Sequence, residues 1–218
     1  MNSSTVIWPI PRNGSGCFGF DEDFVYGRER SSLGPQGVTP DLDLHCERVN
    51  HSAEVFKLKP MVSVEEWIGL TQDGLTRFDR NAELYIRPMY WAETGSLGGI
   101  RHDPDSTRWC LCIYEAAIPK PTGGAVTLSP YRRPTAESAP VEAKAGCLYP
   151  NNARAIMEAQ DRGFDNCLMC DMLGHVAELG SANVFMAKDG WFIHRRSTAP
   201  SSTASPASAS SGCCAAMA

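Results

Sequence analysis

Lys144 stands in the stretch Ala143-Lys144-Ala145-Gly146-Cys147-Leu148-Tyr149, where its neighbours are small or weakly polar. Partial burial disfavours an ammonium, and Schiff-base chemistry needs a neutral amine near neutral pH. The setting therefore suits a nucleophilic lysine, although most lysines are simply solvated charges. Tyr149 taken alone reads as a half-buried packing residue. Glu178 follows small and apolar residues in a short stretch and, alone, reads as an exposed carboxylate on a sheet face. Cys167-Leu168-Met169-Cys170 has the CxxC spacing of redox and zinc motifs, but no second Cys–His pair stands at metal spacing. It reads as strand packing, and no metal is expected. Cys110 and Cys112, two residues apart, share one face of a strand.

The elements that must position these residues are visible in outline. Asp41 or Asp43 is placed to cap a helix whose apolar face includes Leu44, Val49, Ala53 and Phe56. Ser63 and Glu66 form a capping box opening a second helix, with Trp67, Ile68, Thr71, Leu75 and Phe78 on one side. Strands rich in β-branched and aromatic residues are predicted at 84–91, 109–116 and 124–129. Pro119, Pro121, Gly123, Gly124, Pro130, Pro134 and Pro140 mark loops and a domain junction. Pro150 suits the first turn of a helix running to Asp161, which Gly163 ends. Strands follow at 166–171, 175–178 and 183–187, and Asp189-Gly190 turns the chain into Trp191–Ile193. The expected organisation is an unassigned segment at 1–36 that need not be native, an N-terminal α/β domain at 37–129 and a linker at 130–140. A partial C-terminal domain at 141–194 and a disordered Ser/Ala-rich tail at 195–218 complete it.

Bulk properties narrow the class. The 218 residues, 43% hydrophobic and 21% charged, suffice for one large domain or two small ones. A net charge of −5 without a basic stripe argues against nucleic acid as a partner. No apolar run reaches the roughly 18 residues of a membrane span, and the start lacks the pattern of a signal peptide. Nine cysteines without an export signal read as reduced thiols of a cytoplasmic protein.

In combination, ordered blocks of the chain resemble the class IV aminotransferases and, within them, the branched-chain amino acid type. Lys144-Ala145-Gly146-Cys147-Leu148-Tyr149-Pro150-Asn151-Asn152-Ala153-Arg154 is similar to the family's lysine motif, with tyrosine five residues after the lysine (149 − 144 = 5). Asp171-Met172-Leu173-Gly174-His175-Val176-Ala177-Glu178 resembles the family's glutamate strand. It leads into Ser181-Ala182-Asn183-Val184-Phe185 and Lys188-Asp189-Gly190, again as in the family. Upstream, Leu84-Tyr85-Ile86-Arg87-Pro88 and His45-Cys46-Glu47-Arg48 with Ser52-Ala53 match two further blocks. The resemblance spans 37–193.

It implies an α+β, two-domain class IV pyridoxal-phosphate (PLP) fold of the D-amino acid aminotransferase-like kind, its C-terminal domain incomplete. PLP is the implied cofactor. Lys144 would be the Schiff-base lysine and carry the proton between substrate Cα and cofactor C4′. Glu178 would pair with the pyridine nitrogen, where a carboxylate keeps the ring protonated and electron-withdrawing. Tyr149 would hydrogen-bond the cofactor's 3-oxygen, and Arg48 would grip the phosphate with its planar fork. Tyr85 and Arg87 would face the pocket that binds the substrate carboxylate. The implied reaction moves the amino group of Leu, Ile or Val to 2-oxoglutarate, in a homodimer or higher homo-oligomer, with amino and 2-oxo acids as the only partners. A D-amino acid aminotransferase or an aminodeoxychorismate lyase is the alternative within the family; the Tyr85 to Pro88 block favours the branched-chain type. A catalytically silent fragment retaining only self-association is a third reading.

One family feature is missing: a Gly-Ile-Thr-Arg helix start that binds the cofactor phosphate through backbone N–H groups. Residues 197–218 are instead Ser- and Ala-rich and carry no charge, a composition that builds no core. GC-rich codons for 195–218, with one base inserted after the His194 codon, can spell Phe-Leu-Asn-Gly-Ile-Thr-Arg. The expectation is a frame-shifted, truncated chain that binds PLP poorly and has little activity, since each lost charge-assisted hydrogen bond is worth about 1.5–3 kcal/mol.

Overall fold

A computed structural model of the chain describes residues 6–8, 19–21, 24–26, 39–79, 82–96, 100–116, 123–188 and 191–194. Three short strands come first: β1 (Val6–Trp8), β2 (Gly19–Asp21) and β3 (Phe24–Tyr26). Helices α1 (Leu42–Val55) and α2 (Val64–Leu75) follow, then the nine-residue strands β4 (Leu84–Ala92) and β5 (Thr107–Glu115). The remainder is β6 (Val126–Arg132), α3 (Tyr149–Asp161), β7 (Asn166–Cys170), β8 (Val176–Leu179), β9 (Phe185–Lys188) and β10 (Trp191–His194).

Both early helices form where their caps were expected, with differences in detail. Asp41 occupies the N-cap of α1 at a left-handed φ of 51°, yet its side chain makes no cap bond. Its carbonyl accepts from the His45 N–H instead. The buried face of α1 is Leu42, Cys46, Val49, Ser52 and Ala53, a spacing of three and four. The expected stripe is thus rotated, and Leu44 is only half-buried. Ser63 Oγ accepts from the Glu66 N–H at 3.1 Å, one half of the predicted capping box.

α1 and α2 cover one face of an antiparallel sheet with strand order β1-β5-β4-β2, β3 also pairing with β4. Strict alternation along β4 buries Leu84, Ile86, Pro88, Tyr90 and Ala92. Several of these join Leu111 and Ile113 of β5 and the buried faces of the helices in one core. Trp67 sits at its centre, fully buried, with its ring edge-on to Tyr90 and Trp109 at 5.7 and 5.2 Å. Parts of the segment 1–36, which the sequence left unassigned, therefore supply three strands to this sheet.

The second sheet has the order β6-β7-β8. β6 and β7 are parallel, and such a pair needs a long crossover, which here carries α3. α3 packs Ala155 and Ala159 against Cys167 and Met169 of β7 and ends before Gly163, whose φ of 86° suits only glycine comfortably. β9 and β10 form a hairpin with Lys188 opposite Trp191. That register fits the predicted two-residue turn, although Asp189 and Gly190 lie outside the described residues.

Two boundaries differ from the sequence reading. β6, expected as the last strand of the N-terminal part, runs on to Arg132 and belongs to the second sheet, because its hydrogen-bonding partner is β7. Conversely, Ala143 and Ala145, expected in the C-terminal part, are buried in the first core. The tail at 195–218, with the proposed frame shift, lies outside the described residues. No helix among the described residues is long and apolar enough to cross a membrane.

Candidate active site

The lysine segment is clamped to the first core from both sides. Ala143 and Ala145 are 5% and 1% exposed, which holds the backbone down while the Lys144 side chain between them stays half-buried. The Lys144 N–H donates to Ser52 Oγ at 3.1 Å. Ser52 is itself fully buried in α1. Arg48 lies four residues before Ser52, and residues at that spacing share a helix face. The helix thus presents a guanidinium one turn from the point where the lysine docks. Arg48 Nη2 donates to His45 Nδ1 at 3.0 Å, which orients the fork.

From Lys144 the chain passes through a short 3-10 turn, Gly146–Leu148, directly into α3. Tyr149 is the first residue of that helix and is 38% exposed. Asn152, three residues on, shares its face. The Asn152 amide donates to the Gly180 carbonyl at 3.0 Å and to Glu178 Oε1 at 3.4 Å. Glu178 lies on β8 opposite Met169 of β7 and forms an ion pair with Arg133. The series Arg48, Ser52, Lys144, Tyr149, Asn152 and Glu178 is linked by helical spacing and chain connectivity, with hydrogen bonds at Lys144–Ser52 and Asn152–Glu178. It joins a cation, an amine, a phenol and a carboxylate, and this donor set fits an aromatic aldehyde bearing a phosphate and a basic ring nitrogen.

Tyr85 and Arg87 lie on strand β4. Both are half-buried on the face of β4 turned away from α1 and α2. The Tyr85 ring lies 5.3 Å from that of Tyr114, directly across on β5, and Arg87 is opposite Cys112. Cys110 and Cys112 share this face, their sulfurs 3.9 Å apart. The hydrogen bond between them pulls the Cys112 thiol down to about 7, with the Arg87 charge assisting and burial opposing; the same bond and burial push Cys110 up. Cys167 and Cys170 are buried on β7. Among the described residues no group of three or more His, Cys, Asp or Glu is placed to hold a metal ion.

Ser52, Asn152 and Arg133 carry this arrangement, and none was singled out in the sequence as a site residue. Ser52 lies within the matched Ser52-Ala53 block. Arg133 was hidden by its neighbour Arg132, since two adjacent arginines give no clue to which one points inward.

The comparisons with known proteins fit this geometry. A family model for amino-transferase class IV matches residues 32–199. A probable branched-chain-amino-acid aminotransferase of Rickettsia bellii is 31% identical over 147 residues, 66% of this chain and 50% of the relative. The branched-chain-amino-acid aminotransferase of Pseudomonas aeruginosa is 28% identical over 161 residues, 72% of this chain and 52% of the relative. The chain thus spans about half the length of the curated relatives it matches. Among solved structures, an aminotransferase from Brucella abortus bound to PLP is 40% identical and superposes with a TM-score of 0.74, covering 81% of this chain and 60% of that one. The branched-chain aminotransferase of the thermophilic archaeon Thermoproteus uzoniensis, with norvaline, is 27% identical with a TM-score of 0.67 over 81% of this chain and 58% of that one. With the matched residues covering well over half its length and both sheets in place, the chain belongs to the class IV aminotransferases.

Proposed function

We propose that the chain is the lysine-bearing part of a PLP-dependent branched-chain amino acid aminotransferase. The observation that carries this reading is the docking of Lys144 onto Ser52, one helical turn from Arg48 and one short turn before Tyr149. PLP, when bound, supplies an electron sink for breaking the Cα–H bond of an amino acid. The residues of the chain do the rest. The Lys144 amine would hold the cofactor covalently and, once free, would take the proton from substrate Cα as a general base. Glu178 would hold a proton on the ring nitrogen. The Tyr149 hydroxyl would hydrogen-bond the ring oxygen, and Arg48 would bind the phosphate through parallel N–H donors. Tyr85 and Arg87 recognise the substrate carboxylate. Leu, Ile and Val are the donors and 2-oxoglutarate the acceptor, in a cytoplasmic homodimer.

Borohydride reduction after mixing with PLP traps even weak occupancy as a stable lysine adduct. Peptide mapping is expected to find the adduct on Lys144, and Lys144→Ala is expected to abolish it. An adduct spread over surface lysines, unchanged in Lys144→Ala, would sink the reading. An amino-donor screen separates the substrates: preference for D-alanine over L-leucine would overturn the branched-chain assignment.

A further inference from the structure

Two donors converge on the same oxygen of Glu178. Arg133 pairs with Oε1, and the Asn152 amide reaches that same atom. Oε2 accepts no hydrogen bond among the described residues. Both partners are held independently of the carboxylate. The backbone N–H of Arg133 donates to the Cys170 carbonyl at 2.9 Å, which fixes the main chain of Arg133 against the end of β7. Asn152 is fixed in α3 by its second bond to the Gly180 carbonyl. Glu178 is opposite Met169, the residue next to Cys170 on the same strand. Arg133 and Glu178 thus meet across the end of one strand, and at 28% and 21% side-chain exposure the pair is only partly screened by water.

We propose that Arg133 and Asn152 are positioning residues that hold one oxygen of Glu178, so that the other is oriented to take the N–H of the cofactor ring. This rests on the reading of Glu178 as the ring-nitrogen partner. A carboxylate oxygen makes a stronger bond to a ring N–H than a neutral acceptor does. The amide removes rotamer freedom that would otherwise be lost on binding. Glu178 alone could reach a ring nitrogen in several orientations; with Oε1 occupied from two sides, one remains.

The test uses the full chain, PLP, and the PLP analogue in which CH replaces the ring nitrogen. The readout is the concentration of each that gives half-maximal borohydride-trapped adduct on Lys144. Arg133→Met is expected to raise this concentration for PLP about tenfold or more, the scale of one charge-assisted hydrogen bond, and to leave the analogue nearly unchanged. Arg133→Lys should recover part of the loss. Glu178→Gln should resemble Arg133→Met, and the double variant should be no worse than Glu178→Gln alone. If Arg133→Met weakens PLP and the analogue equally, Arg133 is merely structural and the proposal fails. If Glu178→Gln discriminates against PLP while Arg133→Met does nothing, the proposal fails and the reading of Glu178 stands. If Glu178→Gln has no effect, or the wild type shows no trapping on Lys144, that reading fails and takes the proposal with it.

Discussion

The backbone N–H of Lys144 donates to the hydroxyl of Ser52, a residue 92 positions earlier in the chain, at 3.1 Å. This single bond ties the lysine segment to α1, and through α1 to the guanidinium of Arg48. Ser52 is fully buried, so removing its oxygen leaves a donor in a place water does not readily reach. Ser52→Ala is expected to lower unfolding free energy by about 1–3 kcal/mol, with a melting temperature lower by about 2–4 °C per kcal/mol. The local signature is faster hydrogen exchange at the Lys144 amide. Ser63→Ala, which removes the cap of α2, should cost about 0.5–2 kcal/mol without touching that amide. Equal exchange at Lys144 in both variants would show that the Ser52 bond does not hold the segment.

Tyr90 carries a second buried network. Its hydroxyl accepts from the Val62 N–H and donates to Asn50 Oδ1, both at 3.1 Å, and Asn50 Oδ1 also accepts from Trp67 Nε1. Burial pushes the Tyr90 phenol above its ordinary value of 10.0. The neutral phenol is therefore favoured in the fold. The stability this gives is fully present below pH 10 and is lost as pH rises through the higher folded value. Tyr90→Phe should cost about 1–3 kcal/mol near neutral pH, because Val62 N–H loses its partner. Above about pH 10 the gap between wild type and variant should narrow. Urea unfolding at about pH 7 and about pH 10.5 checks both; a gap that widens with pH contradicts the assignment.

Local signals in the sequence carried much of this architecture. Pro150 and Gly163 bracket α3 because one needs no N–H in the first turn and the other tolerates φ of 86°. Alternation on β4 marks its two faces because the side-chain period of a strand is two. What the sequence did not reveal is set by contacts between distant residues. β6 looked like a neighbour of β5 because nothing local announces parallel pairing with β7 across some forty residues, Val126 to Asn166 (166 − 126 = 40). Arg133 meets Glu178, 45 positions on (178 − 133 = 45), only once α3 has folded the chain back. Lys144, Tyr149 and Glu178 were singled out only through the resemblance of their blocks to the family; Ser52, Asn152 and Arg133, which contact that set across the fold, were not singled out.

Cys112 and Cys110 offer a test of the sheet face that carries Tyr85 and Arg87. The thiolate is the nucleophile, so alkylation requires pH above the thiol's own value and fades as pH falls below it. Cys112, lowered by its hydrogen bond with Cys110, should be alkylated by iodoacetamide with a midpoint below that of an ordinary thiol, while Cys110, pushed upward, lags behind it. Cys110→Ala removes the hydrogen bond that lowers Cys112 and should move the midpoint upward; Arg87→Gln should move it the same way by less. Mass spectrometry of the peptide containing both residues reads the outcome. Faster labelling of Cys110 than Cys112 would reverse the assignment.

Gly180 places the strand that carries Glu178 against α3. Its carbonyl accepts from Asn152, and its N–H donates to the Cys167 carbonyl at 2.9 Å. A Cβ there would meet Ile156 Cγ1 at 2.5 Å and Asn166 Oδ1 at 3.0 Å. Those distances are too short for van der Waals contact, so Gly180→Ala must push α3 and β8 apart or force Ile156 off its rotamer. Overpacking of this kind costs about 1–3 kcal/mol. Relief should come from the other side of the contact. Ile156→Val costs about 0.5–1.5 kcal/mol alone, yet paired with Gly180→Ala it should lose less than the sum, because it frees the space the new methyl needs. Strict additivity in a urea double-mutant cycle would mean that Ile156 and Gly180 do not share that space. The separation of α3 from the glutamate strand would then have to be set by the Asn152 bonds alone.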